Sequence, residues 1–111
     1  MDAAASAKAF TEDGTFRFGN DQPAEGEQQI EESVSRFLPM IGGLTHEVTG
    51  VWSGRWEGAA VKSIEAVVTY TRKDGTVTRP LPVTSTLRMR GDLIKAYRIF
   101  MDVSPLFAQQ A

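Results

Sequence analysis

The chain has 111 residues, 41% of them apolar and 23% charged, with a formal net charge of −2, which suits one globular domain spanning residues 1–111. No cysteine and a single histidine exclude disulfides, thiolate nucleophiles and multi-histidine or cysteine metal centres, so neither metal nor cofactor is expected. Scattered Lys and Arg argue against nucleic acid. No apolar run approaches the roughly 20 residues that cross a bilayer, and no signal-peptide pattern opens the chain, so a cytoplasmic protein without a membrane partner is expected.

In chain order, "MDAAASAKAF" reads as a short Ala-rich helix with Asp2 as its N-cap. "TEDG" is a turn signal, and "TFRFG" alternates Phe16 and Phe18 with Thr15 and Arg17 as a short strand. After the loop "NDQPAEG", Ile30, Val34, Phe37, Leu38 and Ile41 form one apolar helical stripe. Glu25, Glu27, Glu31 and Glu32 lie toward its N-terminal half, where the helix dipole favours them, and Gly42–Gly43 is the stop signal.

Strand patterns follow. "LTHEVTGVW" places Leu44, His46, Val48 and Trp52 on one face, and "SIEAVVTYTR" does the same for Ile64, Ala66, Val68 and Tyr70. "RKDGT" is a hairpin turn. "LPVTSTLRMR" sets Leu81, Val83, Ser85, Leu87 and Met89 opposite Thr84, Thr86, Arg88 and Arg90, and "RGD" is a further turn. "LIKAYRIFMDV" is apolar on both faces, with Ile94 and Phe100 opposite Tyr97, Ile99 and Met101, so alternation leaves its inner side open. Helices followed by a long antiparallel meander predict an α+β domain, a curved sheet wrapped around its helices.

The ordered segments "FTEDGTFRFGN", "GLTHEVTGVW", "VVTYTRKDG", "LPVTSTLRMRGDLI" and "YRIFMDVSPLF" resemble those of SnoaL-like proteins, in the superfamily of nuclear transport factor 2 and ketosteroid isomerase. The resemblance runs from about residue 9 to 107 and implies a cone-shaped α+β roll with an apolar pocket. It also implies a homodimer through the outer face of the sheet. Ketosteroid isomerases place an aspartate base where this chain has Phe18, and their second acid falls in a stretch that offers only Ser and Thr. Epoxide hydrolases of the fold use an Arg-x-Asp pair and a further Asp at positions that map to Ala66, Val68 and Ile99. Both mechanisms therefore lack their polar groups here. The acid/base aspartate of SnoaL-like cyclases maps to Asp102, although "VSPLF" departs from their usual continuation.

Two readings of Asp102 stand side by side. It is an acid/base group in the pocket, or it caps the turn at "DVSP". His46, on the apolar face of its strand, is either a second acid/base group or a satisfied core histidine. Phe18, Phe37, Trp52, Val68, Tyr70, Tyr97 and Ile99 are the expected pocket lining for a small apolar molecule. The function expected is binding of such a molecule, with isomerase- or cyclase-type chemistry; the alternative is a non-catalytic dimeric module of the same fold.

Overall fold

A computed structural model describes residues 3–107, and the expected cap Asp2 lies outside them. The helices are α1 (Ala3–Lys8), α2 (Gly26–Phe37) and α3 (Ser104–Phe107), with a 3-10 turn at Leu38–Met40. The strands are β1 (Phe10–Phe18), β2 (Ala24–Glu25), β3 (Gly43–Trp56), β4 (Ala59–Thr71), β5 (Leu81–Arg90) and β6 (Leu93–Phe100). They form one sheet in the order β2-β1-β6-β5-β4-β3. The domain is α+β, and its sheet does not close on itself. Among the described residues, no helix is long and apolar enough to cross a membrane.

The sheet is mixed rather than purely antiparallel, because β1 lies parallel to β6. Alternation within a strand cannot reveal this, since it reports which side chains share a face and not which way the neighbour runs. Thr11–Gly14, read as a turn, is instead part of β1, whose pairing with β6 slips between Phe10 and Thr15. There Asp13 accepts from the Thr11 hydroxyl at 2.9 Å and pairs with Lys95 at 3.4 Å. These contacts hold its carboxyl below the usual range, the Thr11 hydrogen bond being the largest cause.

At the entry to α2, Gln29 Oε1 accepts from the backbone N–H of Glu25 at 2.9 Å, which satisfies a group just before the helix. Ile30 is wholly buried. Val34 and Phe37, on the same stripe, are only partly buried, because part of their surface faces a cavity. The helix gives way to the 3-10 turn at Leu38–Met40 before Gly42 is reached. Ring contacts carry α2 across the sheet: Phe37 lies 5.7 Å from Phe18 on β1 and 6.1 Å from Tyr70 on β4.

Two buried clusters result. One gathers Ala66, Val68, Tyr70, Leu81, Val83 and Leu106. The other is Ala7, Ala24 and Ile30, with Phe10 and Phe16 packed against it. Arg72 secures the end of the first. Its guanidinium donates to the carbonyls of Pro105 at 2.8 Å and Leu106 at 3.3 Å, and so seats α3 on the core. "RKDGT" is a turn as expected, with Asp74 accepting from the Thr76 N–H at 2.9 Å and Gly75 at φ 88°.

The β3–β4 hairpin turns at Glu57 and Gly58, with φ 52° and 79°, the handedness that a tight two-residue hairpin needs. One residue, Thr49, is extra on β3: Val48 pairs with Ala66 and Gly50 with the adjacent Glu65. Such a bulge reverses which face each later side chain takes. Val51 therefore joins Val48 and Ile64 on the inner face. Trp52 pairs with Ser63 and turns outward, 55% exposed, contrary to the pocket-lining role expected of it. Its ring lies over Gly50, where an added Cβ would stand 2.5 Å from it.

Candidate functional site

Between the two clusters lies a cavity of about 370 Å³. Phe10, Phe16 and Tyr97 form one wall, their ring centroids 5.5 to 6.3 Å apart. Val34 and Phe37 of α2 form another, and Leu44, Tyr70, Val83, Ile99 and Met101 contribute from the sheet and its end. The register explains this set. Leu44 faces Tyr70 across β3–β4, and Ser85 pairs with both Ile64 and Ile99, so even-numbered β4 residues and odd-numbered β5 and β6 residues share the inner face. The polar lining is sparse: the hydroxyls of Ser6, Ser33 and Ser85, with Asp21 and His46 exposed at the rim.

Of the residues expected to line a pocket, Phe18, Phe37, Tyr70, Tyr97 and Ile99 do so. Val68 is wholly buried in the core beneath and does not reach the cavity. Trp52 is on the opposite face. Phe10, Ile94 and Met101 line the cavity without having been singled out. Their signal was weak because irregular pairing surrounds them: β1 slips after Phe10, and β5–β6 slips between Arg88 and Met89 near Ile94.

Ile99 faces the cavity, and β6 ends at Phe100. Asp102 lies beyond that end, exposed and outside the cavity lining. Its Oδ1 accepts from the Ser104 N–H at 2.9 Å, the geometry of an Asx turn opening α3. That bond first, then the Ser104 hydroxyl and the charge of Arg79, hold its carboxyl below the usual range. Asp102 and His46 thus do not face each other across one enclosed space. The group that the cavity wall does perturb is Tyr70. Burial pushes its phenol up, so it stays a neutral donor at neutral pH, and its hydroxyl contacts the Met101 sulfur at 3.7 Å.

A second hollow, about 490 Å³ and more open, lies on the outer face of the sheet among Trp56, Thr86, Arg88 and Arg98. Arg88 sits 5.9 Å over the Trp56 ring, and Arg98 sits 5.0 Å over Phe100. Among the described residues, no group of three or more His, Asp or Glu side chains is arranged to hold a metal.

No family model and no curated protein matches the chain. Solved structures do. A ketosteroid isomerase-like-fold protein of Catenulispora acidiphila, in complex with trimethylamine, is similar at 25% identity and a TM-score of 0.78, over 98% of this chain and 82% of that one. A SnoaL-like polyketide cyclase of a Jannaschia species is similar at 17% identity and 0.71, over 90% and 72%. The epoxide hydrolase/cyclase-like enzyme SalBIII, of pyran ring formation in salinomycin, is similar at 16% and 0.73, over 94% and 81%. The order of elements, the mixed sheet and these likenesses agree: the chain has the ketosteroid isomerase-like fold, the fold also of SnoaL-like and nuclear transport factor 2-like proteins.

Proposed function

We propose that the chain binds a small, largely apolar molecule in the cavity beneath α2. The observation that carries this is the lining itself: an aromatic and aliphatic enclosure with a few hydroxyls, the composition of small-molecule sites. The trimethylamine complex of the Catenulispora protein supports a small-ligand role. Binding without turnover by Asp102 is the favoured reading, because that carboxylate is spent on the turn before α3. A thermal-shift screen of small arenes and alkanols tests the reading. Binding is expected in the native chain and lost in Ser85→Phe, which fills the cavity. Absence of any stabilising compound would count against it.

Acid–base chemistry of the isomerase or cyclase kind is the second reading, supported by His46 at the rim and the neutral Tyr70 hydroxyl in the wall. There, His46→Gln abolishes turnover and Asp102→Asn spares it. Epoxide hydrolysis by the fold's own mechanism is not expected, with Ala66, Val68 and Ile99 at its positions. We place the protein in the cytoplasm as a homodimer. Exposed Trp52, Trp56 and Phe100 on the outer face support pairing with a second copy. Trp56→Glu is expected to leave a monomer in sedimentation, and a native chain that sediments as a monomer would sink the pairing.

A further inference from the structure

The cavity does not end at His46. Two rows of paired residues run from its wall to the free edge of the sheet: Val83–Ala66–Val48, and Ile99–Ser85–Ile64–Val51. Val83, Ser85 and Ile99 line the cavity, whereas Val48 and Val51 stand 58% and 57% exposed on the same inner face. Three strand spacings separate Ile99 from Val51, about 14 Å. The bulge at Thr49 puts Val51 into this strip, since without it Gly50 and Trp52 would face inward in its place.

Charge is sorted between the two faces. On β3 and β4, Glu47 and Glu65 take the outer face, pairing with Val67 and Gly50. The inner face of β3–β5 carries no carboxylate; beyond Ile64 its next β4 residue is Lys62, exposed and paired with Ser53 and Leu87. In a chain of net charge −2, this leaves a cation at the outer end of an apolar strip. Asp21, the acidic residue in the cavity lining, stands at the rim and would repel a negative group left there.

We propose that the ligand of this cavity is an elongated amphipathic anion, whose apolar end fills the cavity, whose chain lies over Val48, Ile64 and Val51, and whose anionic group meets Lys62. The inference rests on the cavity being a ligand site, and it adds the ligand's shape, charge and direction. Continuity of the paired rows with the cavity wall argues for one molecule spanning both, and the charge sorting sets which end points out.

Calorimetry with toluene, dodecanol and dodecanoate, the last two below their self-association limits, separates the two claims. Toluene reports the cavity alone. Dodecanoate is expected to bind more tightly than dodecanol, and Lys62→Glu to weaken dodecanoate about tenfold while leaving toluene and dodecanol unchanged. Val51→Asp is expected to weaken both long probes and spare toluene, with a circular dichroism melt confirming that each variant is folded. If toluene binds but the long probes gain nothing and ignore both substitutions, the inference falls and the cavity reading stands. If dodecanol matches dodecanoate in the native chain and in Lys62→Glu, the anionic end is wrong. If no probe binds, both fall.

Discussion

Around Val68 the core is built from large side chains drawn from β4, β5 and α3, and Arg72 ties its end to two carbonyls of α3. Beneath α1 the buried set is Ala7, Ala24 and Ile30, so Ile30 is its one large fully buried side chain, with Phe10 and Phe16 only partly buried against it. The first cluster is redundant and the second is not. The cavity lies between them and takes walls from both. What differs is how each wall is supported: from the sheet by a filled core, from the helices by one isoleucine.

This contrast can be broken from the weaker side. Ile30→Ala is expected to cost about 2 to 5 kcal/mol, the range for truncating a fully buried aliphatic, read as a shift in the urea midpoint. A cost well under 1 kcal/mol would show that α2 is held by something other than its stripe. On the stronger side, Arg72→Ala removes charged hydrogen bonds to α3 and is expected to cost roughly 1.5 to 3 kcal/mol. Arg72→Lys should restore little of it, because one ammonium does not span both carbonyls with the guanidinium's fork. Limited proteolysis would then cut near Ser104 before the body of the sheet.

A pH titration sharpens the same comparison. Burial raises the Tyr70 pKa above 10.0. The sign follows: its contribution is fully present below that value and is lost as pH rises through the folded-state pKa. Tyr70→Phe should therefore flatten the alkaline limb of the stability curve. For Asp102, lowered from 3.8 by Ser104, the contribution is present above 3.8 and is lost as pH falls through the folded-state value. Asp102→Asn should flatten the acid limb and leave cavity binding unchanged. The smallest effect is expected outside both clusters. Gly50→Ala drives the Trp52 ring aside and alters tryptophan emission, whereas Gly54→Ala meets open space and should not.

Much of this was written plainly in the chain. The stripe from Ile30 to Ile41 specifies α2, and the alternation through Ile64–Tyr70 and Leu81–Met89 specifies two central strands with the correct inner faces. Five cavity-lining residues could be named from those patterns and from the resemblance together. Trp52 was misplaced because periodicity assumes a constant count, and the extra residue at Thr49 carries no compositional mark. The parallel partner of β1 was hidden because pairing direction is a property of the whole chain path. The role of Asp102 stayed open in the sequence because a capping aspartate and a catalytic one obey the same local pattern. What the structure adds is that the Asp102 Oδ1 accepts from the Ser104 N–H at 2.9 Å, as a capping aspartate does.

The position of β3 at the end of the strand order has a further consequence. One side of this 14-residue strand has no strand neighbour among the described residues, and a long straight edge of that kind is a template on which other chains stack into fibrils. Thr49 interrupts the edge near its middle, because a bulge bends the strand and breaks the regular spacing of its free amides and carbonyls. Deleting Thr49 would straighten the edge while leaving Trp52 paired with Ser63 on the outer face. Aggregation kinetics of that deletion, followed by light scattering and amyloid-dye fluorescence, should therefore be faster than those of the native chain.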